Sequence, residues 1–256
     1  MPPVAPIMPS PPPTTAPQGG VIDTLITAKG ASMPGFDYRL ISDTNTILGS
    51  CDIPELETVP FALAYSAVLD RVLYINRDQV LYSIDPYTCQ IEKICIIGTS
   101  VAGLMVDKES GRIFGEGFGN LVYEVDLETC KFSVACDDAA NSGFSGEIVD
   151  GVLYVGVVVL QVRPNFLSGS CETQRIINTG GSCVIDGLTA ISANTLIAAC
   201  RDGSYLSIDI NTDVVTTLVI NAPTSGGLAS FHFNPPPPPA FVGRERCIRR
   251  LSQSSP

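Results

Sequence analysis

Arg71–Cys95, RVLYINRDQVLYSIDPYTCQIEKIC, returns as Arg112–Cys136, RIFGEGFGNLVYEVDLETCKFSVAC. Asp85 and Asp126 stand 41 residues apart, as do Cys89 and Cys130, and Cys95 and Cys136. A fixed period of this kind marks a repeat architecture. Each copy consists of short Val, Ile, Leu and Tyr runs broken at Gly, Asp-Pro, Asn and Ser-Gly, which is strand and turn chemistry. No long segment carries helical periodicity.

Outward from this pair, the turn aspartate recurs as Asp43, Asp85, Asp126 and Asp209, with Leu167 in the slot of a degenerate copy. The steps are 42, 41, 41 and 42. An aspartate suits such a turn because its carboxylate accepts backbone N–H bonds. A core-facing strand opens each copy: FALAY at 61–65, VAGLMV at 101–106, GEIVDG at 146–151 and VIDGLTAIS at 184–192. Each copy then predicts four short antiparallel strands, the pattern of a β-propeller blade. The first copy lacks its opening strand, and GGLASFHF at 226–233 supplies one after the last copy. The sequence therefore predicts an all-β propeller of about five four-stranded blades, its closing blade shared by the N- and C-terminal strands. The expected blades are 21–51 with 226–233, then about 61–97, 101–137, 145–184 and 186–220. LYSID at 81–85 and VYEVD at 122–126, each after a V/I-L/F strand, resemble the quinoprotein-like or YVTN-like propellers, over roughly residues 20–233. That resemblance implies a fold only, because the group holds enzymes, lectins and scaffolds alike.

Three segments are expected: a Pro-rich extended arm at 1–19, the propeller at 20–233, and a polyproline run with a basic tail at 234–256. Eight of the 20 prolines lie in residues 2–17 and five form the run Pro235, Pro236, Pro237, Pro238 and Pro239. Such stretches favour polyproline II and do not pack as sheet or helix. The tail carries Arg244, Arg246, Arg249 and Arg250, so the acidic surplus behind the chain's net charge of −11 belongs to the body. An acidic body argues against a nucleic-acid partner. No apolar run is long enough for a helical membrane span. The opening MPPVAPIMPSPPPTTAPQGG has neither a basic start nor an apolar run, so it does not read as a secretory signal.

Nine cysteines without metal-site spacing, and with His232 the one histidine, read as disulfides of an exported protein. Cys89 and Cys95 lie on one outer strand, as do Cys130 and Cys136, too far apart to bridge each other. The pattern that fits the period joins Cys51 to Cys89, Cys95 to Cys130 and Cys136 to Cys171, each a staple from one blade to the next. Outer strands of adjacent blades diverge, so these staples require a bend. Cys183 and Cys200 form a fourth candidate pair, and Cys247 is left over for another molecule. Spacing alone does not fix connectivity.

Catalytic chemistry is thinly represented. Asp85, Asp126 and Asp209 read as turn residues, and Gly115–Gly119 as a hairpin turn, with no helix following to bind phosphate. His232, beside the proline run, reads as a strand or surface residue. Glu116, Glu147, Asp150 and Asp186 lie near strands that approach the channel and are the candidates for an oxygen-ligand metal site. No cofactor is expected. There is no N-x-[ST] sequon and no Trp. Glycans would therefore be O-linked, with Pro11, Pro12, Pro13, Thr14, Thr15 and Pro235–Pro239 as candidate hydroxylation and O-glycosylation sites. PSPPPTTAP and PPPPP resemble the hydroxyproline-rich and mucin-like segments of extracellular matrix glycoproteins; a plain linker is the other reading. The expectation is an extracellular structural or assembly glycoprotein and not an enzyme. It would join head to tail with itself through the basic tail and Cys247, or with other extracellular glycoproteins. The alternatives are a module that binds a glycan or protein, and a metal-dependent hydrolase or lactonase.

Overall fold

The computed structural model describes residues 22–29, 34–56, 60–98, 100–117, 121–137, 145–181, 183–219 and 228–233. Their regular structure is strand throughout, apart from two short 3-10 turns at Pro54–Leu56 and Phe166–Ser168. Five antiparallel four-stranded sheets follow the chain in order. Blade 1 holds β1 (Ile22–Ala28), β2 (Gly35–Leu40) and β3 (Asp43–Asp52). Blade 2 is β4 (Pro60–Ser66), β5 (Arg71–Asn76), β6 (Val80–Ile84) and β7 (Ile91–Ile96). Blade 3 is β8 (Val101–Val106), β9 (Ile113–Gly117), β10 (Leu121–Asp126) and β11 (Lys131–Cys136). Blade 4 is β12 (Gly146–Val149), β13 (Val152–Gly156), β14 (Val159–Arg163) and β15 (Arg175–Asn178). Blade 5 is β16 (Ile185–Ser192), β17 (Thr195–Cys200), β18 (Tyr205–Asp209) and β19 (Val214–Val219). The last strand, β20 (Leu228–Phe233), pairs antiparallel with β1 and completes blade 1 from the inside.

The innermost strands close a circle: β20 meets β4, β4 meets β8, β8 meets β12, β12 meets β16, and β16 meets β20. The result is a five-bladed propeller spanning Ile22–Phe233 as one compact unit.

The core lies in the seams between blades, because each sheet is covered on both faces. On β5, Val72 and Tyr74 face the seam with blade 1, while Leu73 and Ile75 face the seam with blade 3. Similarly on β17, Leu196, Ala198 and Cys200 pack toward blade 4, and Ile197 and Ala199 toward blade 1. A strand buried on both faces cannot alternate apolar with polar, so RVLYIN and TLIAAC read as continuous apolar runs. The outer strands have water on one side: β7 leaves Glu92, Lys93 and Ile96 exposed.

Two irregularities repeat with the blades. The inner strands of blades 2, 3 and 5 bulge at Phe61, Ala102 and Asp186 against their second strands. The next residue is small each time: Ala62, Gly103 and Gly187. With Gly146 of blade 4 these line a recess between the inner strands of blades 2 to 5. A Cβ on Gly146 would come 2.5 Å from Met105 Sδ and 3.2 Å from the Tyr154 carbonyl oxygen. The second irregularity lies on the outer edge. The β7, β11 and β19 strands each slip one residue against the strand inside them, skipping Ile94, Ala135 and Leu218.

Candidate interaction surface

The inner strands of blades 2 to 5 leave a small recess between them. The recess among Ala62, Gly103, Gly146 and Gly187 holds about 10 Å3, about the room of one water. Small-molecule sites usually offer roughly 300–1,000 Å3. Asp186 lies beside this recess and is engaged by Arg201, whose guanidinium donates at 2.8 and 3.2 Å. Glu147 is enclosed on β12, and burial pushes its carboxyl from 4.5 up to about 7, against the opposing pull of Lys108. The Lys108 ammonium donates to the Ala190 carbonyl at 2.7 Å, a strut from blade 3 to blade 5. Glu116 is buried in β9, and Asp150 is exposed in the β12–β13 turn. Glu116, Glu147, Asp150 and Asp186 therefore do not converge, and the described residues contain no group of three or more His, Cys, Asp or Glu that would ligate a metal.

The cysteines lie in the seams. Cys51, at the end of β3, is bonded to Cys89 in the last turn of blade 2. Cys136, at the end of β11, is bonded to Cys171 in the β14–β15 loop of blade 4. Cys183, in the connection leading into β16, is bonded to Cys200 at the end of β17. The bend that such staples need comes from two features. The outer-strand bulge at Ala135 re-aims Cys136 toward the following blade, as bulges commonly do. The turn that receives the staple places Cys89 at φ 59 in the left-handed region. Cys95 and Cys130 depart from the expected bridge: they are two thiols, half-buried and unbonded. Their side chains are in hydrogen-bond contact, and burial together with that contact pushes the Cys95 thiol up to about 12.

The turn aspartates are structural. Asp85 accepts from the backbone N–H groups of Tyr87 and Thr88, Asp126 from Glu128 and Thr129, and Asp209 from Asn211 and Thr212. Asp43 accepts from Asn45. Burial opposes ionisation of Asp85, but the N–H bonds from Thr88 and Tyr87 and the nearby Arg71 outweigh it, so its pKa is lowered. The Thr129 hydroxyl and backbone bonds lower Asp126, and the Thr212 and Asn211 N–H groups lower Asp209. Because blade strands are antiparallel, all these turns emerge at one end of the ring, which also bears Asp70, Glu109, Asp150 and Asp213. Arg71 offsets Asp85 at 3.4 Å and Arg175 offsets Asp213 at 3.3 Å, leaving that end acidic. In the degenerate copy, Leu167 occupies a 3-10 turn and its carbonyl accepts from Arg112 at 3.1 Å.

Sequence reasoning missed the Lys108 strut, which spans 82 residues and leaves no local signal. It also missed Arg163, fully buried and donating to Gln161 at 2.9 Å and to Cys136 Sγ at 3.3 Å. Its alternation on β14, between apolar neighbours, was the available hint. His232 pairs through its backbone with Asp23. Pro11, Pro12, Pro13, Thr14, Thr15, Pro235–Pro239, Arg244, Arg246, Cys247, Arg249 and Arg250 lie outside the described residues. No helix among the described residues is long and apolar enough to cross a membrane.

The molecule is thus a five-bladed, disulfide-bonded β-propeller. Its sequence matches no protein-family model and no curated protein. Among solved structures it is similar to a chain in the crystal structure of a nidogen/laminin complex. The TM-score is 0.55 at 14% identity, over 83% of this chain and 99% of that one. A chain in the crystal structure of the mitotic checkpoint complex gives a TM-score of 0.46 at 16% identity, over 63% of this chain and 51% of that one. At these identities the likeness is one of fold.

Proposed function

We propose that this chain is an extracellular structural module: a rigid, disulfide-stapled propeller that binds protein partners through its outer surface and catalyses no reaction. The observation that carries this reading is the placement of the cysteines, since two of the three bridges hold one blade to the next. Bridges of that kind persist where thiols are not kept reduced. The small size of the recess between the inner strands of blades 2 to 5 supports a binding surface over a substrate pocket. The likeness to a chain crystallised in a nidogen/laminin complex supports a protein partner.

In this reading the assembly is head to tail. The acidic turn end of one ring receives the basic Arg244–Arg250 tail of another, Cys247 locks the contact, and the Pro-rich arms carry O-linked glycans. Light scattering of the full chain under non-reducing conditions tests it. Oligomers that fall apart as salt rises, and that are lost when the four tail arginines become Ala, are expected. A monomer at every concentration overturns self-assembly. Intact mass of native material tests the glycans: a heterogeneous excess is expected, and the mass of the bare chain overturns that part.

A further inference from the structure

Cys95 stands to the seam between blades 2 and 3 as Cys51 and Cys136 stand to theirs. Each lies opposite a buried residue of the strand inside it: Cys51 opposite Phe36, Cys95 opposite Leu81, Cys136 opposite Val122. On β7 and β11 the bulge falls one residue earlier, at Ile94 and Ala135. The receiving turns also correspond, with Cys89 at φ 59 and Cys130 at φ 55. Thus the unbonded seam repeats the strand register of the bonded ones, but both of its cysteines are half-buried where Cys51 and Cys136 are buried. Its two thiols already touch, and Cys95, with Ile94, Leu127 and Phe132, packs against the apolar core of that seam.

We propose that Cys95 and Cys130 form a redox-modification site, a dithiol that a small-molecule disulfide of the glutathione type closes into a reversible third staple. The chemistry is thiol–disulfide exchange. One cysteine loses its proton and its sulfur attacks the reagent, forming a mixed disulfide and releasing one thiol. The other cysteine loses its proton and attacks the protein sulfur of that mixed disulfide, releasing the second. Two protein thiols and one small disulfide become one protein disulfide and two small thiols, with two electrons passing to the reagent. Burial and the contact with Cys130 raise the Cys95 thiol, which makes that sulfur slow to attack and a poor leaving group. Closure would make blades 1 to 4 one covalently connected arc, independently of which partner the ring binds.

The test uses the full chain with Cys247→Ser, incubated in oxidised or reduced glutathione, alkylated, and mapped by peptide mass spectrometry. In oxidised glutathione, loss of both alkylatable thiols and a linked Cys95–Cys130 peptide are expected. Reduced glutathione should reopen that link while Cys51–Cys89 and Cys136–Cys171 persist. The oxidised form should melt on the order of 5–10 °C higher. Thiols that stay alkylatable, a separate glutathione left on each cysteine, or a Cys95–Cys130 bond as resistant to reduction as the other two each overturn the proposal. Because the mapping is done with both cysteines of the seam in place, it does not depend on whether a Cys95 variant folds.

Discussion

Glu147 and Asp85 are both carboxylates, yet their surroundings drive them in opposite directions. Glu147 binds its proton more tightly in the fold than in the unfolded chain. Its contribution to stability is therefore present at low pH and is lost as pH rises from its unfolded value toward about 7. Glu147→Gln should flatten that decline, which urea midpoints measured at about pH 5 and about pH 8 would show; an unchanged slope would mean another group is responsible. The Asp85 pKa is lowered, so its contribution is present at neutral pH and disappears as acid protonates it. Asp85→Ala removes the acceptor for two backbone N–H groups and should cost about 1–2 kcal/mol, whereas Asp85→Asn, which keeps an oxygen, should recover most of that. Denaturant midpoints of the two variants would separate them. The turn role of Asp85 was legible because it depends on residues two and three positions away. The role of Glu147 was not, because its neighbours Lys108 and Ala190 come from other blades.

Three of the outer strands combine regular pairing with a one-residue slip, and on β11 the slip at Ala135 immediately precedes the half-cystine Cys136. Strand identity was readable because burial on both faces leaves continuous apolar runs, as in RVLYIN. The slips were not, since a skipped residue such as Ile94 or Ala135 looks like any other strand residue. The phase of the cysteines was legible from the period. Whether Cys95 and Cys130 are bonded was not, because spacing carries no information about oxidation. Removing the first staple with Cys51→Ser and Cys89→Ser should lower stability by about 2–4 kcal/mol, read as a denaturant midpoint that no longer responds to reductant at that seam. On the inner strands, Gly146→Ala places a methyl against Met105 and the Tyr154 carbonyl. It should cost about 1–3 kcal/mol, and a wild-type melting curve would show that the channel yields more easily than the packing implies.

Ring closure depends on one pairing, β1 with β20, which aligns Asp23 with His232. A chain ending at residue 227 should leave β1 without its inner partner and open the seams to blades 2 and 5. Loss of a cooperative melting transition, with binding of an apolar dye, is the expected readout; a sharp native-like transition would show that an open arc is stable. The count of blades was legible because the first copy lacked a strand that the end of the sequence supplied, whereas the small recess between inner strands appears only once blades 2 to 5 are assembled. The shared blade also bears on how the protein is made. Blades 2 to 5 each consist of contiguous sequence and can pair hairpin by hairpin in the order in which they are synthesised. Blade 1 cannot, because its first-made strand waits for nearly the last residues of the described body. Its formation is a long-range event of high contact order, so the slow phase of folding is expected to be the joining of the chain's beginning to its end. Until then every nascent ring carries a vacant strand edge, which makes the interval between translation and closure the stage at which chaperone protection matters most.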